Sequence, residues 1–108
     1  MEKLINLTPH SIHFVNEAGD VIKTVEPSGA VARVATKTVT VGDWDDLPIT
    51  ETDFGEVEGL PEPEPDTAYI VSSIVAQRCH GRLDVFIPNE SVRDDKGRIV
   101  GCRSLGRI

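Results

Sequence analysis

Cysteine is close to missing from this chain: Cys79 and Cys102 are the two copies in 108 residues. Two cysteines cannot build the multi-bridge framework that replaces a core in small secreted domains, so free, buried thiols are expected. Long apolar runs are missing too. None approaches the roughly 20 residues of a transmembrane helix or the h-region of a secretory signal, which makes a cytoplasmic, membrane-free protein the expectation. Glycines fall singly at turns, and neither Gly-x-Gly-x-x-Gly nor a Walker sequence is present to cradle phosphate. No Cys-x-x-Cys or His-x-x-x-His pair marks a metal site, and on a strand the three-residue spacing of His10 and His13 puts them on opposite faces. Adjacent Cys79 and His80 are poorly placed to act as nucleophile and base, and no carboxylate pair stands at a spacing typical of acid–base work. Neither a catalytic set nor a resident cofactor or metal is therefore expected.

Basic residues are scarce in one part of the chain only. The net charge is −7. Residues 1–77 carry Lys3, Lys23, Arg33 and Lys37 against fourteen acidic side chains, whereas residues 78–108 carry seven basic side chains against Asp84, Glu90, Asp94 and Asp95. Asymmetry of this kind suggests either an anion-binding C-terminal third or halves that pair with each other or between subunits. The overall negative field argues against duplex nucleic acid.

What is present reads as one β-rich domain spanning 1–108. KLINL (3–7) and SIHFVN (11–16) are strands around a Thr8-Pro9-His10 corner, because proline fixes φ and removes a ladder donor. Glu17-Ala18-Gly19-Asp20 turns into the returning strand VIKTV (21–25), and Pro27-Ser28-Gly29 turns the chain again. The β-branched stretch 30–41 is a strand with a break near Thr36, where the alternation changes character. Gly42-Asp43-Trp44-Asp45-Asp46 is a polar turn, and 47–54 alternates Ile49, Glu51, Asp53 against Thr50, Thr52, Phe54. The acidic, proline-rich 55–67 is a surface crossover in extended geometry. LDVFIP (83–88) is a strand ended by Pro88, and 92–100 is a hairpin turning at Asp95-Lys96-Gly97. Six to eight short strands with one short helix make a β-dominated α+β domain, a small antiparallel barrel or sandwich.

The densest candidate site is Tyr69–Arg82. A strand ending at Ser72-Ser73 and turning into a short helix exposes N–H donors at that helix start. Arg78 and Arg82, four apart, share a face if the helix continues. Ser72, Ser73, Arg78 and Arg82 are the primary ligand-binding candidates. His10 is a further contact, Tyr69 and Phe86 are candidates for stacking on a base, and Arg93, Arg98 and Arg103 form a second basic group. The plain alternative for the last three is pairing with Asp94 and Asp95.

Three segments, NLTPHSI (6–12), FGEVEGLPEPEPDTAYIVSSIVAQ (54–77) and DVFIPNESVRDDKGRIVGCRSL (84–105), resemble a family of small proteins from phages, prophages and other mobile elements. The resemblance runs over nearly the whole chain. It implies a bacterial host cytoplasm, and by context and size an anti-defence protein that sequesters a cyclic or ADP-ribose-type nucleotide signal without catalysis, as a homo-oligomer. The alternatives are an acidic inhibitor that covers a basic surface of a host protein, and a structural or assembly component of a phage.

Overall fold

The computed structural model of the chain describes residues 2–108. Eight strands and one helix follow the order β1 (Lys3–Asn6), β2 (Ile12–Val15), β3 (Val21–Val25), β4 (Arg33–Trp44), β5 (Leu47–Glu58), β6 (Thr67–Ile70), α1 (Ser73–Arg78), β7 (Val85–Arg93) and β8 (Ile99–Gly106). This is the β-dominated α+β domain with one short helix that the sequence predicts. Six strands form the body, in the spatial order β1-β6-β7-β8-β2-β3, and β4–β5 form a separate two-stranded ribbon. The body sheet is mixed. β1–β6, β6–β7 and β2–β8 run parallel, while β7–β8 and β2–β3 are antiparallel hairpins.

The body sheet curls until its two edges meet. A parallel bridge joins Asn6 to Pro27, and the Ser28 N–H donates to the Asn6 carbonyl at 3.0 Å. Leu4, Ile12, Phe14, Val25, Ile70 and Cys102, drawn from both ends of the strand order, form one cluster inside this curl. Alternation along β6 sends its neighbours the other way. Tyr69 and Val71 join Leu7, Ala32, Val75, Ala76 and Val85 in a second cluster on the outer face, roofed by α1 and by Val34 and Val57 at the root of the ribbon. Asn6 sits at the seam, 1% exposed. Its Nδ2 donates to the carbonyls of His10 (2.7 Å) and Val25 (3.1 Å), and its Oδ1 accepts from the N–H (2.9 Å) and hydroxyl (2.6 Å) of Thr8. One side chain therefore satisfies the corner at Thr8-Pro9-His10 and ties it to β3.

The β4–β5 ribbon leaves the body as an arm. The radius of gyration is 16.9 Å, where a compact chain of this length gives about 13 Å, and the principal extents are 51 × 40 × 24 Å. Every residue from Ala35 to Phe54 is exposed. The expected break near Thr36 is present as a register shift between Val34 and Thr36, and a second shift lies between Thr40 and Gly42. Gly59 turns the ribbon back into the body at φ +82°, and a Cβ there would lie 2.7 Å from the Val31 carbonyl oxygen.

Three local expectations change. The turn at the arm tip is only Asp45-Asp46, both with positive φ (51° and 62°), so Gly42–Trp44 stay in β4 and the hairpin closes as a two-residue loop. β5 continues through Gly55–Glu58, which shortens the irregular crossover to the residues after Glu58. Pro88 does not end β7, because β6 has stopped pairing at Ile70–Phe86 and a proline is tolerated where one flank of the strand is open.

Candidate functional site

α1 is six residues long and is capped by Ser72, whose hydroxyl accepts from the Val75 N–H at 3.5 Å. The cap is thus occupied within the chain, and Ser73 is an exposed first-turn residue. The helix stops at Arg78: the Cys79 N–H is shared between the Val75 and Ala76 carbonyls, and Gly81 turns the chain at φ +102°. Arg82 therefore lies beyond the helix rather than one turn along it.

The turn nevertheless brings both arginines to one concavity. A cleft of about 440 Å³ between this turn and the arm root is lined by Gly55, Glu56, Val57, Leu60, Arg78, Cys79, His80 and Arg82. Its volume falls within the usual range for small-molecule sites. The Arg78 Nη2 donates to the carbonyls of Phe54 (3.0 Å) and Gly55 (3.1 Å), which pins α1 to the arm root. Among the described residues no carboxylate lies within ion-pair distance of Arg78, and no protein acceptor engages its Nε or Nη1. Arg82 is held by Asp84 in a two-point contact, Nε to Oδ1 at 3.0 Å and Nη2 to Oδ2 at 2.6 Å. That hydrogen bond raises the Arg82 pKa and holds the Asp84 carboxyl below its ordinary range, with desolvation opposing each shift. Burial pushes the Cys79 thiol up, the nearby Arg82 only partly offsetting it, so Cys79 is a wall of the cleft rather than a thiolate.

The cleft thus offers two guanidinium groups, an imidazole and the acidic Glu56 beside an apolar wall of Val57 and Leu60. It lies at the C-terminal end of α1, where the helix dipole opposes an anion. The arginines, rather than the helix start, are the attraction for negative charge here. Ser72 and Ser73 lie at the opposite end of α1 and are not among the cleft residues.

The remaining sequence candidates are dispersed. Tyr69 is 1% exposed, its ring in the outer core cluster and its hydroxyl 3.5 Å from the Glu62 carbonyl, so it presents no face for stacking. Desolvation raises its pKa, with Glu64 and Asp84 adding to the shift. Phe86 is half-buried, and the Arg107 guanidinium covers its ring at 4.9 Å in a different cleft that also includes Lys3 and Thr67. His10 is exposed at the strand corner. Arg93 donates to the Gly97 carbonyl (2.7 Å) and Arg98 pairs with Asp94 (3.0 Å) in their own hairpin, while Arg103 reaches the Asn16 carbonyl (2.8 Å) across the body. For Arg98 the pairing alternative is the one found. The cleft residues outside the sequence candidates are Gly55, Glu56, Val57, Leu60, Cys79 and His80. The place of Cys79 and His80 beside Arg78 was legible, but the approach of the arm root was not.

No protein-family model matches the chain, and no curated protein or solved structure matches it.

Proposed function

We propose that the cleft at Arg78 and Arg82 captures a small phosphorylated ligand, a cyclic or ADP-ribose-type nucleotide, and holds it without turning it over. The observation that carries this reading is Arg78: a guanidinium anchored through one nitrogen, lacking a carboxylate partner, beside a second arginine in a concave site. A phosphate meeting Nε and Nη1 of Arg78 forms charge-assisted hydrogen bonds, each worth roughly 1.5–3 kcal/mol. Arg82 is pre-oriented by Asp84 and adds its free Nη1, while Val57 and Leu60 offer an apolar surface to a base or ribose. Glu56 and His80 also line the cleft, but among the described residues no hydrogen bond joins them, and burial pushes the Cys79 thiol up, which favours sequestration over chemistry. The setting is a bacterial host cytoplasm, and the working form is a homo-oligomer.

Titration calorimetry with cyclic dinucleotides, cyclic mononucleotides and ADP-ribose-derived nucleotides tests the reading. The expected result is saturable binding of at least one member, recovery of that nucleotide intact, and at least about tenfold weaker binding by Arg78→Ala, the loss of a charge-assisted bond. Arg103→Ala is expected to bind as the wild type does. Indifference to the whole panel, or an Arg78→Ala variant with unchanged affinity, overturns it.

A further inference from the structure

The arm has two different faces. Cross-strand partners share a face, and faces alternate along each strand. Thr36 with Phe54, Thr38 with Thr52 and Thr40 with Thr50 lie on the face whose root, Val34 and Val57, enters the core. The opposite face pairs Lys37 with Asp53 and Val39 with Glu51, then Gly42 with Ile49 and Trp44 with Leu47. The second register shift adds Val41 to this face, since a bulge sets two residues of one strand against one of the other. Val39, Val41, Trp44, Leu47 and Ile49 thus form one apolar strip along the outer half of the arm. Trp44 is 79% and Leu47 67% exposed, and the other three are exposed as well.

A two-stranded ribbon standing alone in water is marginal, and an apolar face on it gains stability by being covered. Among the described residues nothing in the chain covers this one. With one indole and four aliphatic side chains the strip reaches the several hundred Å² that mark an interaction surface. Its shape is narrow: two strands about 4.8 Å apart, and about 20 Å from Val39 to Trp44. A stripe of that shape suits one extended or helical segment laid along it.

Charge selects the kind of segment. From residue 35 to residue 54 the arm carries Lys37 against Asp43, Asp45, Asp46, Glu51 and Asp53. Among the described residues none of these groups takes part in an ion pair. Lys37 stands opposite Asp53 and offsets it, and Asp43 pairs with Pro48 on the threonine face. Glu51 at the root end of the strip and Asp45-Asp46 in the turn at its tip are left as unopposed negative charge. The apolar stripe is therefore bracketed by carboxylates at both ends. A second copy brings the same excess and a net charge of −7, and nucleic acid or an anionic lipid surface brings phosphate, so each is repelled. We infer that this face of the arm is the docking surface for a basic amphipathic segment of a different protein, apolar at its centre and carrying Lys or Arg at both ends. The cations meet Glu51 and the Asp45-Asp46 turn while the apolar centre covers Val41, Ile49 and Trp44. The area is at the low end for specific interfaces, so the contact is a reversible one. This surface is separate from the arginine cleft, none of whose lining residues belongs to the strip.

Titration of the full chain with short synthetic peptides is the test, read by emission of the single tryptophan and by anisotropy of labelled peptide. The probe alternates leucine with serine between paired lysines at each end. One control replaces its lysines by glutamate, and another replaces its leucines by serine. The lysine–leucine peptide is expected to bind saturably, to move Trp44 emission to shorter wavelength and to weaken as salt rises. Both controls should bind at least about tenfold more weakly. Val41→Thr with Leu47→Thr and Ile49→Thr, which keeps strand-forming side chains, should lose at least about tenfold in affinity. Asp45→Asn with Asp46→Asn and Glu51→Gln should lose about as much at low salt and flatten the salt dependence, since asparagine tolerates the positive φ of the turn. A wild type indifferent to the lysine–leucine peptide overturns the inference, as does either variant binding as the wild type does. So does a control peptide that binds equally well. Trp44 emission that shifts with protein concentration alone, or with phosphatidylglycerol vesicles, overturns it too by giving the strip another occupant. Nucleotide binding should be the same in the threonine variant as in the wild type, which separates this surface from the ligand reading.

Discussion

The body and the arm are built from the same β-branched vocabulary, yet one is closed and the other open. In the body, Ile70 and Val71 are fully buried and the two sheet edges are drawn together at Asn6 and Pro27. In the arm, Val39 and Ile49 occupy equally regular strand positions, with Val41 at the bulge beside them, and all three meet solvent. Strand formation in this chain is therefore not what buries an apolar side chain. Burial follows from closure, which needs partners distant in sequence, and the arm has only the strand next to it.

The largest expected effect breaks this comparison in the body. Ile70→Ala empties part of the closed interior and should cost roughly 2–5 kcal/mol in urea unfolding, while Ile49→Ala, the same deletion of atoms in the arm, should stay within about 0.5 kcal/mol for the monomeric chain. Asn6→Ala follows. It removes the Asn6 donor to the Val25 carbonyl and the acceptor of the Thr8 N–H, leaving the His10 carbonyl only the Thr8 hydroxyl, for a loss of roughly 2–3 kcal/mol read in the same experiment. Asp46→Gly acts in the arm and with the opposite sign. Relief of a left-handed non-glycine residue is worth about 1 kcal/mol, so amide exchange in β4 and β5 should slow about fivefold while the body amides keep their rates.

The smallest effect is a pH dependence. The hydrogen bond from Arg82 lowers the Asp84 pKa, so the pair stabilises the fold above the unfolded carboxylate range, about pH 4, and loses that contribution as pH falls through the lower folded value. Asp84→Asn should be less stable than wild type near neutrality, and the two should converge below about pH 4 in thermal unfolding.

Legibility in the sequence followed the range of the interactions. The β2–β3 and β7–β8 hairpins were readable because Gly19 and Gly97 mark their turns within a few residues. The short helix was readable from Ser72-Ser73 after an apolar run. Pro88 misled because whether a strand tolerates proline depends on how far β6 extends beside it, which the local sequence does not state. Gly55–Glu58 were hidden by the bulge that shifts their alternation out of step with 47–54. The site was half legible. Arg78 and Arg82 were named from their spacing for a helical reason that does not hold, yet a turn at Gly81 gathers them anyway. Their opposite wall comes from Gly55–Leu60, whose approach is a property of the arm root's packing and not of any motif. Tyr69 was misassigned as a stacking platform because a tyrosine next to Ile70 and Val71 reads equally well as exposed or interior until the sheet curls around it.

The order of pairing in the body carries a consequence for how the chain comes into being. Among the described residues β1 has β6 as its only strand partner in the body sheet, and β2 finds its second neighbour in β8, so Phe14 waits for Cys102. During synthesis the β2–β3 hairpin and the arm, each joining strands close in sequence, can zip as soon as they emerge, whereas β1 waits for β6 and β2 waits for its second neighbour, β8. Vectorial synthesis thus makes the water-facing arm before β6, β7 and β8, the strands that join β1 to β2 across the body sheet. The finished domain is closed by its final strand, and a nascent chain stalled before β8 presents an unfilled barrel to whatever binds exposed strand edges.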